Sequence, residues 1–176
     1  MITLYEGPEG AGKTLVMTSH CLEHVIKGGR LFTFPGYNVW DSEHNLVSET
    51  LTLEQWIQAA EVSTTGEISI LQNAVLAIDE VPNFFNMAWN SAILKIMRAI
   101  LAQRRKDQMT LLCTGQRFEW LPRQFRQLVH LVYNCWDMHW MPPMEEGEQR
   151  SPRGTTIRIT RCDVKGFVTG YPGTWD

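Results

Sequence analysis

Two glycines five positions apart, followed at once by a lysine and a threonine, open the chain's chemistry: Gly7-Pro8-Glu9-Gly10-Ala11-Gly12-Lys13-Thr14. This is the G-x-x-x-x-G-K-[ST] spacing of a phosphate-binding loop, and it lies between an apolar strand and an amphipathic helix, as the motif requires. Glycines let the backbone wrap close to phosphate oxygens, N–H groups turn inward, and the following helix adds the positive end of its dipole. Lys13 would reach the β- and γ-phosphates of ATP, and the Thr14 hydroxyl would ligate Mg²⁺. A second element, Val75-Leu76-Ala77-Ile78-Asp79-Glu80, is an apolar strand that ends in two acids. There Asp79 would hold the Mg²⁺ shell, and Glu80 would orient and deprotonate an attacking water. A phosphate-transferring kinase needs no water-activating base, so the adjacent acids favour hydrolysis. Thr114-Gly115-Gln116 closes a further strand, where Gln116, able to donate and accept, suits a bridge between phosphate and water.

The elements that must position these groups follow from periodicity and turn residues. Residues 2–5 read as a buried strand, 13–27 as a helix stopped by Gly28-Gly29, and 31–34 as a strand ended by Pro35-Gly36. Thr52-Leu53-Glu54-Gln55 has capping-box form and predicts a short helix to residue 60. Residues 75–78, 110–114 and 131–135 read as strands. A helix capped at Asn90 or Ser91 and another near Pro122 fall between them. Strands alternating with helices specify a three-layer α/β fold on a parallel sheet. Residues 1–136 form the expected core. Residues 137–176 read as an extension of the same domain: a polar loop over 141–154, then a β-hairpin of strands 155–160 and 167–171.

The chain has 176 residues, 44% of them apolar, and a formal net charge of −3. That composition excludes a disordered or disulfide-scaffold protein and allows a full hydrophobic core. No apolar run approaches the length of a membrane span, and the start lacks a secretory leader, so a cytoplasmic or virion-associated location is expected. Four scattered cysteines read as reduced core residues. The net charge conceals an asymmetry. Residues 36–90 hold eight acids and no Lys or Arg, whereas residues 91–130 hold eight bases against Asp107 and Glu119. The basic stretch offers Lys95, Arg98, Arg123 and Arg126 for DNA phosphates or for a subunit interface. Trp89 and Trp120 flank the predicted active edge, where an indole could stack a base, although packing is the commoner use. His20-Cys21-Leu22-Glu23-His24 fits the zinc pattern H-x-x-E-H. It sits on a helix that must pack against the sheet and has no evident third ligand, which argues against zinc.

The phosphate loop, the Asp79-Glu80 pair and the segment Leu101 to Arg117 resemble, in that order, the FtsK/HerA branch of P-loop ATPases. In that branch a helix ends in arginine and the next strand ends in Thr-Gln. Over residues 1 to 135 the chain is most similar to the zonula occludens toxin-like ATPases of phages. It departs from them at Gly115, inserted between Thr114 and Gln116, and in lacking the membrane segment of filamentous-phage members. The resemblance implies a P-loop NTPase fold of the ASCE type with a five-stranded sheet in the order 5-1-4-3-2. It further implies ATP and Mg²⁺ as cofactors and a homo-oligomeric ring that moves double- or single-stranded DNA, with a portal or capsid assembly protein as a further partner. The neighbouring subunit would supply an arginine, for which Arg105 fits best and Arg104, Arg117 and Arg126 compete. The competing expectations are a nucleotide or small-molecule kinase, a terminase-like ATPase part, and a nucleotide-gated assembly protein with slow hydrolysis.

Overall fold

A computed structural model of the chain describes residues 1–52, 54–55, 58–59, 62, 70–82, 108–140 and 157–163. Its centre is β1, Ile2–Glu6, whose five residues are all buried. A strand is apolar on both faces only when both are covered, and β1 is flanked in parallel by β5, Thr110–Gly115, and β6, Leu131–Asp137. Beyond β5 lie β4, Val75–Ile78, and β2, Leu31–Thr33, both parallel. These five strands keep the expected order: β6-β1-β5-β4-β2 is 5-1-4-3-2 when only they are numbered.

Among the described residues the sheet has two more strands than expected, β3, Glu49–Thr50, and β7, Ile157–Asp163, for an order of β3-β2-β4-β5-β1-β6-β7. The two-residue β3 joins the β2 edge in parallel, helped by a forked Arg30–Glu49 ion pair with both nitrogen–oxygen distances at 3.2 Å. At the opposite edge, β7 runs antiparallel to the whole of β6, from Leu131↔Asp163 to Asp137↔Ile157. The first limb of the expected hairpin is a strand, with bounds shifted from 155–160 to Ile157–Asp163. It extends into the expected turn and pairs with β6, because a long solvent-facing strand gains a full hydrogen-bond ladder by closing an open sheet edge. The second limb, 167–171, and the loop 141–154 lie outside the described residues.

Helix α1, Lys13–Ile26, packs Val16, Met17 and Cys21 onto one face of the sheet together with Tyr5, Leu112 and Cys135. Its end is a Schellman motif: Gly28 at φ 81° donates to the Val25 carbonyl at 2.8 Å and Gly29 to that of His24 at 3.1 Å. On the other face, Phe118, Leu121, Phe125 and Val129 complete a cluster with Ile2, Leu4, Leu76 and Cys113. Phe125 belongs to the one-turn helix α2, Arg123–Arg126, which Pro122 opens. The expected capping box forms, with Thr52 N–H donating to Gln55 Oε1 at 2.8 Å and Gln55 N–H to Thr52 Oγ1 at 3.3 Å. The expected helix from residue 90 lies outside the described residues. Among the described residues, no helix is long and apolar enough to cross a membrane.

Candidate active site

The parallel strands end at one edge of the sheet, and the chemistry-bearing residues gather there because each lies just past a strand. The phosphate loop leaves β1 through Gly7 at φ 149° and turns through Gly10 at φ 75° and Gly12 at φ 80°, conformations costly for any residue with a Cβ. Space adds to this at two of them, at residue 7 against backbone and at residue 12 against a side chain that can shift. A Cβ on residue 7 would overlap the Cys135 carbonyl oxygen of β6, and one on residue 12 would overlap the Ile157 side chain of β7. Pro8, Glu9 and Gly10 form the exposed tip, and Ala11 is buried, its N–H donating to the Pro8 carbonyl at 3.2 Å. Gly12 caps α1 without any side-chain acceptor, so the first-turn N–H groups open onto the loop. Lys13 is 8% exposed, and its ammonium donates to the Pro8 carbonyl oxygen at 2.9 Å, folded back across the loop it serves.

The acidic half of the site is assembled by strand register. Because Ile78 pairs with Cys113, Asp79 emerges beside Thr114. The Thr114 hydroxyl donates to Asp79 Oδ1 at 2.7 Å, and the Thr14 hydroxyl donates to the same oxygen at 3.0 Å. Thr114 Oγ1 in turn accepts the Glu80 backbone N–H at 2.7 Å, holding Glu80 at φ 51° in the left-handed region. Behind Thr14, a hydroxyl chain braces the helix: Tyr37 donates to Thr18 Oγ1 at 2.7 Å, and Thr18 donates to the Thr14 carbonyl at 2.7 Å. Burial pushes the Tyr37 phenol up, so it serves as a donor and not as an anion.

Thr114 is one residue of this edge that spacing did not single out. The Gln116 carbonyl accepts the Gly7 N–H at 3.4 Å, while its side chain is exposed. Glu6 is a second residue that spacing missed. This buried last residue of β1 accepts the Phe118 N–H at 2.8 Å, and burial holds its carboxyl above the usual range against the opposing pull of that N–H. Its signal was a lone carboxylate ending an otherwise apolar strand directly before the loop.

A model of the zonular occludens toxin (Zot) family matches residues 1–139. The chain belongs to the Zot family. The match spans β1 to β6, and the Zot-family chain carries a P-loop ATPase fold. No curated protein matches it. Among solved structures, it is similar to the DNA-packaging ATPase from Sulfolobus Turreted Icosahedral Virus, at 14% identity and a TM-score of 0.47, covering 76% of this chain and 74% of that one. It is also similar to C. elegans PCH-2, at 21% identity and a TM-score of 0.46, covering 76% of this chain and 34% of that one. For a katanin the values are 15% and 0.42, covering 73% and 37%.

The basic residues divide. Arg123 is exposed on α2, Arg126 lies 5.9 Å over the Phe118 ring, and Arg117 lies 5.7 Å over the Trp120 ring. Lys95, Arg98, Arg104 and Arg105 lie outside the described residues. The two histidines of the zinc pattern have protein partners in this Zot-family fold: His20 Nδ1 is bonded to the Tyr5 hydroxyl at 2.6 Å and His24 Nε2 to the Arg30 carbonyl at 3.2 Å. Among the described residues, no cluster of three metal-ligating side chains occurs.

Proposed function

We propose that this Zot-family protein is an Mg²⁺-dependent ATPase, the motor subunit of an oligomeric ring that moves phage DNA during packaging or extrusion. The observation that carries the proposal is the convergence of Lys13, Thr14, Asp79 and Glu80 at one sheet edge, with Asp79 and Thr14 already joined at 3.0 Å. A hydroxyl and a carboxylate form a hard-oxygen pair that fits Mg²⁺ better than a softer ion. Open left-handed glycines fit a phosphate chain in the same way. Thr14 and Asp79 would hold the metal, which supplies neutralising charge at the β- and γ-phosphate oxygens. Lys13 adds a second positive charge from the loop. The Glu80 carboxylate accepts the proton of the attacking water, and Thr114 keeps that residue's backbone fixed while it does so. Residues 1–136 constitute the catalytic core in this proposal, and residues 137–176 extend it, with β7 sealing the loop through Ile157. An arginine from the next subunit, Arg105 foremost, would complete the charge stabilisation, with Gln116 facing the γ-phosphate.

The adjacent acids favour hydrolysis over transfer to an acceptor, which sets the kinase alternative second. The deciding measurement is ATP turnover with and without DNA, in the host-cytoplasm range of salt, together with oligomer size. Turnover without any acceptor, rising with DNA, is the expected result; turnover only with an added acceptor would defeat the motor. Glu80→Gln should bind ATP and lower turnover by about 10²–10⁴-fold.

A further inference from the structure

The segment after β5 carries side chains that the nucleotide chemistry does not use. Trp120 is 58% exposed, whereas its neighbours Phe118 and Phe125 are buried in the core. The Arg117 guanidinium covers one face of its indole, 5.7 Å from the ring centre. Arg123 is exposed on α2, and the buried Nε of Arg126 has no hydrogen-bond partner among the described residues. Glu119 is the only acid between Gln116 and Arg126, so the segment is net positive. Trp136, also exposed, belongs to the same sheet face: Glu6 alternates with Ile2 and Leu4 and pairs with Asn134, two residues before Trp136.

An exposed indole backed by arginine, with further arginines beside it, combines a flat surface for a base with cations for a phosphate backbone. A duplex presents its backbone but keeps its bases stacked, so the open indole favours a single strand. The surface is also tied to the phosphate loop at two adjacent positions. Phe118 N–H donates to Glu6 at 2.8 Å, and Gly7 N–H donates to the Gln116 carbonyl at 3.4 Å. A pull on residues 116–118 is therefore a pull on the loop.

We propose that residues 117–126 form a binding surface for a single-stranded polynucleotide, with a base stacked on the open face of Trp120 and phosphates running along Arg117, Arg123 and Arg126. This rests on the DNA-motor proposal above and names where the strand is gripped. The test uses the full chain and a labelled oligothymidylate, read by fluorescence polarisation across salt. Trp120→Ala is expected to weaken binding about 5- to 150-fold, the range for loss of one base–aromatic stack, while Trp120→Phe retains most of it. Arg123→Ala should lower the slope of log affinity against log salt by about 0.7. If Trp120→Ala does not fold, Trp120→Leu, which keeps bulk without a ring, makes the same comparison. Unchanged affinity in the tryptophan variant overturns the proposal. So does a smaller oligomer with unchanged strand affinity, which would make this surface a contact between copies. Binding of duplex alone overturns the proposal and leaves the motor standing; binding of no polynucleotide at any salt removes the DNA motor itself.

Discussion

Two turns leave the sheet from β1 and β4, with β5 between them, and they solve the same backbone problem by opposite means. After β1 the chain enters the left-handed region through Gly10 and Gly12; after β4 it does so through Glu80, at φ 51°. The first turn offers N–H groups to a ligand, so any side chain there is only an obstruction. The second must deliver a carboxylate, so it keeps its Cβ at a conformational cost of roughly 1–2 kcal/mol. The Thr114 hydroxyl offsets that cost by taking the Glu80 N–H and fixing Asp79 at once. Glycine suffices where the backbone acts, and a non-glycine needs a clamp where the side chain acts.

Gly12→Ala should break the first turn most severely. It combines a strained φ with overlap on Ile157, and affinity for a fluorescent ATP analogue should drop at least about 100-fold. Adding Ile157→Ala should recover part of the loss, because only the overlap is relieved; full recovery would show that the left-handed φ is unimportant. Thr114→Val tests the clamp. It leaves a backbone donor unpaired, at about 1–3 kcal/mol of stability, and should lower turnover roughly 10- to 100-fold with ATP affinity nearly unchanged. Thr114→Ser should restore both properties. An equal loss of ATP affinity would erase the distinction between the two turns. Glu80→Gly and Glu80→Ala should both be inactive, but urea denaturation should find the glycine variant the more stable by up to about 1 kcal/mol. The reverse order would mean that Glu80 is not strained.

The smallest effect concerns Glu6, which joins the first turn to Phe118. Burial raises its carboxyl above the unfolded value, so the folded state holds its proton longer. Stability contributed here is present at low pH, falls as pH rises through the carboxylate range to the raised folded value, and stays lower beyond it. Glu6→Gln keeps an acceptor for the Phe118 N–H. Thermal melts at acid and neutral pH should show a flatter profile and a slightly higher melting temperature at neutral pH.

The phosphate loop and the Asp79-Glu80 pair were legible in the sequence because each is a contiguous run whose residue types state their chemistry. The α1 stop at Gly28-Gly29 and the Thr52–Gln55 box were legible for the same reason. What escaped was decided by pairing across the sheet. Nothing near Thr114 announces that its hydroxyl meets the Asp79 carboxylate and the Glu80 N–H just past β4, since that follows from the Ile78↔Cys113 register. Nothing in residues 157–163 says that their partner is β6, nor in Glu49-Thr50 that two residues will pair with β2. The five-strand order came from family resemblance, and it held because the edge strands were added outside it.

The contact between Gly12 and Ile157 also governs when the loop can be finished as the chain is made. The loop's residues emerge from the ribosome before β5, β6 and β7, yet the carbonyl that crowds Gly7 belongs to Cys135 and the side chain that would crowd a Cβ at Gly12 belongs to β7. Until those strands are synthesised and docked, the nascent loop has no wall behind it, and β1 lacks both of its neighbours, β5 and β6. The nucleotide site is thus begun early and closed late, so a truncated or stalled chain would carry the whole phosphate-binding motif without a site able to use it.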